Sequence, residues 1–240
     1  MKLHNKLFCT IGSILLLTNT ALLAADKSAM DILKNAYSYT GAMDQYAFDA
    51  IIVDEEADNG KIINTYKHAV NVKVDRPSNL RVDVKGDLRN RTNYVNKGKY
   101  TMADHAFGYY GEIKASDTID GTLDYILKSF GINAPLTALI YSDMQKRMKV
   151  KSGKYFGTRN VAGVECDYVA FKNNKREVHV WIATGNKPLV KAYSIIDTKT
   201  KGHPRMNTSL VWHTDAKISK NDFIFTPSKD VMKISVESAN

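Results

Sequence analysis

The chain has little cysteine, proline and glycine: 2 cysteines, 5 prolines and 14 glycines among 240 residues. So few cysteines exclude a small domain held together by disulfide bonds, and the low glycine and proline content excludes a collagen-like chain. No second uncharged stretch of membrane-spanning length follows the N-terminus, which excludes a polytopic membrane protein. With 44% apolar residues, the composition indicates a soluble domain with a well-packed core.

Concentrated positive charge is also lacking, although the formal net charge is +9. In the segment 80–85, Arg81, Asp83 and Lys85 alternate with Leu80, Val82 and Val84, a pattern typical of a strand with one solvated face. Nucleic-acid binding would need a concentrated basic patch with exposed aromatic residues. We therefore expect no nucleic-acid partner, whereas weak attraction to an anionic membrane surface fits the charge.

Recognisable catalytic motifs are missing as well. The chain has no G-x-S-x-G elbow, no H-E-x-x-H, no phosphate-binding loop and no dinucleotide fingerprint. His179 and His213 fall in predicted strands and could converge on a metal, which keeps a metal-dependent hydrolase as the least favoured alternative. The acidic residues Asp54, Glu55, Glu56 and Asp58 are interpreted as a solvated turn, which lacks the regular loop spacing of a calcium site. We expect no enzyme activity, no bound metal and no cofactor.

The N-terminus has the layout of a secretory signal peptide. Lys2 and Lys6 precede the uncharged residues 7–25, and small alanines predict cleavage near Ala24 or Ala25. An uncleaved membrane anchor is the alternative. No cysteine lies at the junction, so we expect an exported periplasmic protein that is not a lipoprotein. Residues 1–25 are thus the predicted signal and residues 26–240 a single domain, in which Cys166 is interpreted as a buried apolar residue.

Most of the chain after the signal alternates with a period of two. The predicted strands are 46–53, 61–74, 80–84, 91–95, 100–103, 154–158, 164–171, 177–182, 189–197, 206–212 and 223–225. They are joined by turn residues rather than helices, which favours an antiparallel meander. Three helices are also predicted. The residues that open or close them are Ser28, Asp31, Gly41, Thr118, Gly131, Asn133 and Pro135. The predicted fold class is α+β, mainly β, with a large antiparallel sheet covered on one face by about three helices.

Three short sequences, in this order, resemble the outer-membrane lipoprotein carrier superfamily, the LolA-like proteins. They are Arg-Pro-Ser-Asn-Leu at 76–80, Asn-Lys-Gly-Lys at 96–99 and Phe-Ile-Phe-Thr-Pro at 223–227. The closer resemblance is to a related group of predicted periplasmic proteins of unknown function. The chain departs from the carriers at Ser228, where they have a second proline, at Lys97, where their turn has aspartate, and over 103–116.

The resemblance implies a half-open antiparallel barrel whose concave apolar face is lidded by helices and accepts acyl chains. It also implies that the arginine of the Arg-Pro motif, here Arg76, ties the lid to the sheet in the closed state. The residues alone leave open whether Arg76 has this role or fixes a surface turn before proline. They also leave open whether the apolar side chains line a cavity or fill a core. The candidate lining and lid residues are Phe48, Ala50, Ile52, Tyr66, Val82, Tyr94, Leu123, Ile126, Leu127, Phe130, Leu139 and Ile140.

These observations lead to one functional hypothesis and one main alternative. The hypothesis is a monomeric, non-enzymatic periplasmic protein that binds a lipid or an acylated protein, as a carrier or a sensor. Apolar burial would drive binding, at about 0.8 kcal/mol per methylene group. The alternative is a module of the same fold that recognises another protein of the cell envelope.

Overall fold

The structure is a computed structural model that describes residues 28–132, 136–150 and 152–237. The predicted signal peptide and its cleavage site lie outside the described residues, as do Asn133 and Pro135. The division into a signal and a single domain stays a prediction.

Within the described residues, twelve strands form a single open sheet. In chain order they are β1 (Gln45–Asp58), β2 (Lys61–Asp75), β3 (Asn79–Gly86), β4 (Asn90–Asn96), β5 (Lys99–Asp104), β6 (Tyr109–Lys114), β7 (Lys154–Val161), β8 (Val164–Lys172), β9 (Arg176–Ala183), β10 (Val190–Asp197), β11 (Arg205–His213) and β12 (Met232–Ile234). Their order in the sheet is β12-β6-β5-β4-β3-β2-β1-β11-β10-β9-β8-β7. Neighbours are antiparallel except β12, which pairs parallel with β6. Because β12 and β7 are edges, the sheet does not close, and the predicted fold class is confirmed.

Tight turns explain the antiparallel meander. The β4–β5 turn places Lys97 at φ 44° and Gly98 at φ 80°, and the β7–β8 turn places Ala162 at φ 49° and Gly163 at φ 83°. Two successive residues with positive φ form the hairpin turn whose twist matches that of the strands. The chain therefore returns at once beside the strand it has just completed.

Helices α1 (Ala29–Gly41) and α2 (Ile119–Phe130) begin at the predicted caps. The Asp31 backbone N–H donates to the Ser28 hydroxyl at 3.4 Å, and Thr118 caps α2 by accepting from the Gly121 N–H at 3.1 Å. Gly41 is the last residue of α1, and a Cβ there would lie 2.2 Å from the Ser142 carbonyl oxygen. Only glycine permits this close approach of the chain that follows α2.

The prediction of a third continuous helix is wrong. The chain forms a 3-10 turn over Thr137–Leu139 and a one-turn helix α3 (Met144–Arg147) instead. Between them the Ser142 backbone N–H donates to the Asp120 carboxylate at 3.1 Å rather than to a helical carbonyl. The Asp120 carboxylate of α2 thus replaces the backbone carbonyl that would accept from the Ser142 N–H in a continuous helix.

The predicted strand 223–225 is also wrong. A 3-10 turn spans Lys220–Phe223 instead, and Ser219 and Asp222 cap it reciprocally. Two short strands were not predicted: β6, in the segment that the resemblance did not align, and β12. Both have weak alternation because aromatic and glycine residues interrupt β6 and β12 has three residues.

Alternation along the strands separates two faces of the sheet. The inner face carries Phe48, Val72 and Val82, which are aligned across β1, β2 and β3. The outer face carries Asp49, Asn71 and Asp83, aligned on the same three strands. Apolar side chains of α1, of α2 and of residues 136–140 join the inner face in one buried core.

Candidate functional site

Four of the predicted sheet residues share the inner face. Phe48 is fully buried at 0% exposure, and Ala50 and Ile52 follow it on β1 and are buried as well. Val82 lies opposite Val72 on the neighbouring strands and packs against the core. These side chains belong to or pack against one buried cluster that also includes apolar residues of the helices, so the inner face is a packed apolar surface.

Of the two predicted tyrosines, one lies on the other face and one lies beyond the covered part of the inner face. Tyr94 lies on the outer face, because Asn93 occupies the inner position opposite Val82. Its ring packs 5.6 Å from that of Phe225, and the Arg81 guanidinium lies 5.3 Å above it. Tyr66 sits on β2 opposite Asp54, near the β1–β2 hairpin, and its hydroxyl donates to Glu56 at 2.8 Å. The interpretation of Tyr94 as lining is wrong, and Tyr66 lies at the solvent-exposed end of its strand.

The predicted helical residues divide in a similar way. Leu139 and Ile140 are buried, Ile126 is buried on α2, and Leu123 packs against the core. Leu127 is 46% exposed, because α2 turns Ile119, Thr122 and Ile126 toward the sheet and so rotates Leu127 away. Phe130 is half-buried, with its ring at 5.9 Å from the exposed Tyr125 ring. The prediction for Leu127 is therefore wrong.

Arg76 lies where the sheet meets the helical layer. We call α2 and residues 136–147 the lid. The Arg76 guanidinium donates to the Ile140 carbonyl of the lid at 2.7 Å and lies 3.8 Å from the Asp120 carboxylate of α2. It also donates to the Tyr46 hydroxyl at 3.1 Å and to the Met43 carbonyl at 3.1 Å. One nearly buried cation thus joins both parts of the lid to the first strand.

Tyr46 completes this connection. Its hydroxyl donates to the Leu139 carbonyl at 2.8 Å while it accepts from Arg76. Burial raises the pKa of Tyr46 well above its ordinary range, and the Arg76 charge offsets only part of this effect. The hydroxyl therefore stays protonated and keeps its donor to the lid at any physiological pH.

Within the lid, carboxylates of α2 hold the irregular segment. Asp120 accepts from the Ser142 hydroxyl at 2.5 Å, and Asp124 accepts from Tyr141 at 2.9 Å and from Arg147 at 2.7 Å. Burial, followed by the hydrogen bond to Asp124, raises the pKa of Tyr141 to about 12. These bonds join the two parts of the lid to each other.

Other groups considered from the sequence are separate from one another. The His179 Nε2 atom lies 3.0 Å from Glu177, and the His213 Nε2 atom lies 2.8 Å from Asp49. These histidines share no carboxylate, and across residues 28–132, 136–150 and 152–237 no three metal-binding side chains form a cluster.

Cys166 is buried and burial raises the pKa of its thiol, as its interpretation as an apolar residue requires. No helix in the described part of the chain is long and apolar enough to cross a membrane.

A cavity of about 540 Å³ opens on the outer face, away from the lid. Its polar lining includes Asp49, Asn71, Arg81, Asp83 and Thr92. Sequence reasoning assigned such residues to the solvated side of a sheet and missed the cavity. The strand register was the missing information, because it aligns side chains that are far apart in sequence.

An open antiparallel sheet with a helical lid on its apolar face is the architecture that the LolA-like resemblance implied. The chain belongs to the DUF2092 family of predicted periplasmic proteins, whose family model matches residues 29–237. The predicted relationship to a periplasmic family of unknown function is confirmed. A search of curated proteins finds no match to the chain.

Several solved structures are similar to the chain. An uncharacterized conserved protein from Thermus thermophilus has a TM-score of 0.53 and 10% identity, and the match covers 88% of this chain and 100% of that one. A LolA superfamily protein from Nitrosomonas europaea has a TM-score of 0.39 and 10% identity, covering 83% and 98%. The lipoprotein LppX from Mycobacterium tuberculosis has a TM-score of 0.42 and 12% identity, covering 80% and 98%. At 10% identity, the likeness to the Thermus protein concerns the fold alone.

Proposed function

We propose that this protein binds a lipid, or the acyl chain of a lipoprotein, between the lid and the inner face of the sheet. It would act in the periplasm as a carrier or a sensor and not as an enzyme. The observation that carries the proposal is the Arg76 network, which joins the sheet to both parts of the lid through one side chain. In this proposal the structure would correspond to a closed state, in which the lid covers the inner face.

Ligand entry would require the lid to separate from the inner face. The separation exposes apolar side chains, among them Phe48 and Ile126, and an acyl chain would cover them again. Each buried methylene group contributes about 0.8 kcal/mol, so a chain of ordinary length offsets the loss of several lid contacts. Arg76 would set the balance, because its contacts with the Ile140 carbonyl and the Asp120 carboxylate exist only when the lid is closed.

Export belongs to the same proposal. Residues 1–25 would direct the chain to the periplasm and be removed near Ala24 or Ala25, leaving a protein without a lipid anchor. The intact mass of the protein recovered from the periplasm measures the cleavage site. A mass that still includes residues 1–25, or an added diacylglyceryl group, contradicts this part.

Native mass spectrometry of the mature protein tests ligand binding directly. We expect adducts with the mass of a lipid in protein purified from cells, and uptake of a fluorescent fatty acid by the stripped protein. Ala50→Trp, which fills the inner face under the lid, should abolish both. Val211→Trp, on the exposed outer face of the neighbouring strand, is the matched control and should retain them. Lipid-free protein that takes up no fatty acid would contradict the proposal.

The packing of the inner face favours a second candidate. Phe48, Val72 and Ile119 are fully buried, as in a core that never opens. A protein of this kind would serve as an interaction module for another envelope protein. Capture of one specific envelope partner by the stripped protein, with no fatty-acid uptake, would favour this candidate.

A further inference from the structure

We infer that the outer-face cavity is a second binding site, and that its ligand is a neutral carbohydrate. Four polar side chains form its floor in a straight row: Asp49, Asn71, Asp83 and Thr92. Each comes from a different strand, and each is aligned with the next in the register of β1, β2, β3 and β4. Neighbouring strands lie about 4.8 Å apart, similar to the distance between hydroxyl groups on alternate carbons of a sugar ring.

Hydrogen bonds hold this row in position. Asn71 donates to Asp49 at 2.8 Å, and Thr92 donates to Asp83 at 2.8 Å. The Thr92 hydroxyl has one hydrogen, which it donates to Asp83. The His105 Nε2 atom lies 2.8 Å from the Thr92 oxygen and is therefore the donor in that contact. Side chains that are already ordered lose little entropy when a ligand binds. Carboxylate and amide oxygens keep further lone pairs that can accept from ligand hydroxyl groups.

The lining of the cavity carries charges of both signs: the carboxylates Asp49 and Asp83 and the cations Arg81, Lys85 and Arg91. Arg81 donates to both oxygens of Asp83, at 2.8 Å and 3.0 Å, and His213 lies 2.8 Å from the second oxygen of Asp49. A bound phosphate would meet the carboxylates, and a bound cation would meet the basic side chains. A neutral ligand with many hydroxyl groups avoids both conflicts and can use donors and acceptors together.

An aliphatic shelf borders the polar row. Val211 is aligned with Asp49 and is 57% exposed, and Ile51, which follows Asp49 on the same face, is 37% exposed. A sugar ring has hydroxyl groups at its edge and C–H groups on its face. The row and the shelf match these two surfaces, and a cavity of about 540 Å³ falls within the range of small-molecule sites.

Titration with neutral trisaccharides, followed by NMR, tests the inference on the mature protein. The probes are an N-acetylglucosamine trimer, cellotriose and maltotriose, with inorganic phosphate in parallel. We expect at least one trisaccharide to shift the signals of Asn71 and Thr92, with phosphate leaving them unchanged. If no trisaccharide shifts these signals, or if phosphate alone does, the inference is wrong.

Asn71→Leu should weaken the affinity for that sugar about tenfold, since it removes one hydrogen bond between the row and the sugar. Asn64→Leu is the matched control, because Asn64 also donates to a carboxylate from β2, at 2.9 Å to Glu56, but lies outside the cavity. Equal weakening by both variants contradicts the assignment.

Ile51→Arg, at an exposed position, blocks the cavity without disturbing the core and should also weaken binding.

Discussion

The two faces of the sheet come from the same strands and behave in opposite ways. On β1, Phe48 is fully buried under the lid, whereas Asp49 has a half-exposed side chain beside a solvent cavity. The inner face is held by apolar contact and meets polar groups mainly at its border, around Arg76. The outer face is held by hydrogen bonds between side chains on adjacent strands. One residue of displacement along a strand therefore moves a side chain from the apolar face to the polar one.

The largest effect should come from opening a hole in the inner face. Phe48→Ala removes a fully buried ring and is expected to lower the free energy of unfolding by about 3–5 kcal/mol. On the outer face, Val211→Ala should change it by about 0.5 kcal/mol or less. Urea unfolding of both variants measures the difference, and similar losses would mean that the two faces are not packed as described.

Arg76→Met tests the border between the faces. The change leaves the Ile140 and Met43 carbonyls without their donor and is expected to cost about 2–3 kcal/mol. Amide hydrogen exchange in residues 136–147 should become faster, because the lid loses its attachment to the sheet. Arg81→Met removes a guanidinium from the outer face and is the control: it should leave lid exchange unchanged. Unaltered exchange in the Arg76 variant would mean that Arg76 does not hold the lid.

A smaller effect is expected where the C-terminal segment covers part of the outer face. The Phe225 ring lies 5.6 Å from that of Tyr94 and 4.9 Å from that of Tyr110. Phe225→Ala should lower the free energy of unfolding by about 1–2 kcal/mol and increase the exposure of Tyr94. Nitration of Tyr94 by tetranitromethane, located by peptide mass spectrometry, measures that exposure. Because Tyr94 is on the outer face, filling the inner face with Ala50→Trp should not alter its nitration.

The smallest effect should appear as a dependence on pH. The backbone N–H of Ser219, followed by Lys73, lowers the pKa of Asp222 below its ordinary value. The stabilisation is therefore fully present above the ordinary pKa of aspartate and is lost as the pH falls through the lower, folded value, below about pH 5. Asp222→Asn should flatten this part of the stability curve measured between pH 3 and about 7. An unchanged curve would show that the capped turn does not contribute.

Much of the fold could be predicted, because its signals are local. Period-two alternation identified ten of the strands, and the caps at Ser28 and Thr118 identified two helices. The failures have a common cause. Residues 136–147 are shaped by Asp120 and Asp124, which lie on another element, and Phe223 is buried by strands distant in the chain. Local periodicity contains no information about such partners.

The candidate site was predicted in the same uneven way. Phe48, Ala50, Ile52 and Val82 were assigned to the helix-covered face because apolar side chains alternate along a strand. Tyr94 and Leu127 were assigned to the same face. The strand register instead puts Tyr94 on the outer face, and the rotation of α2 leaves Leu127 exposed. The role suggested for Arg76 came from the resemblance, and the contacts that would support it became visible only with its partners in place.

By itself, the sequence determined that this chain forms an antiparallel sheet with a few helices, because turn residues and alternation act between neighbours in the chain. The tertiary structure decided which side chains share a surface. Register across β1 to β4 aligned Asp49, Asn71, Asp83 and Thr92 into one row, and the fold brought Arg76 to carbonyl and carboxylate groups of the lid. Both depend on contacts between residues far apart in the chain, where the free energy comes from packing and burial rather than from local preference.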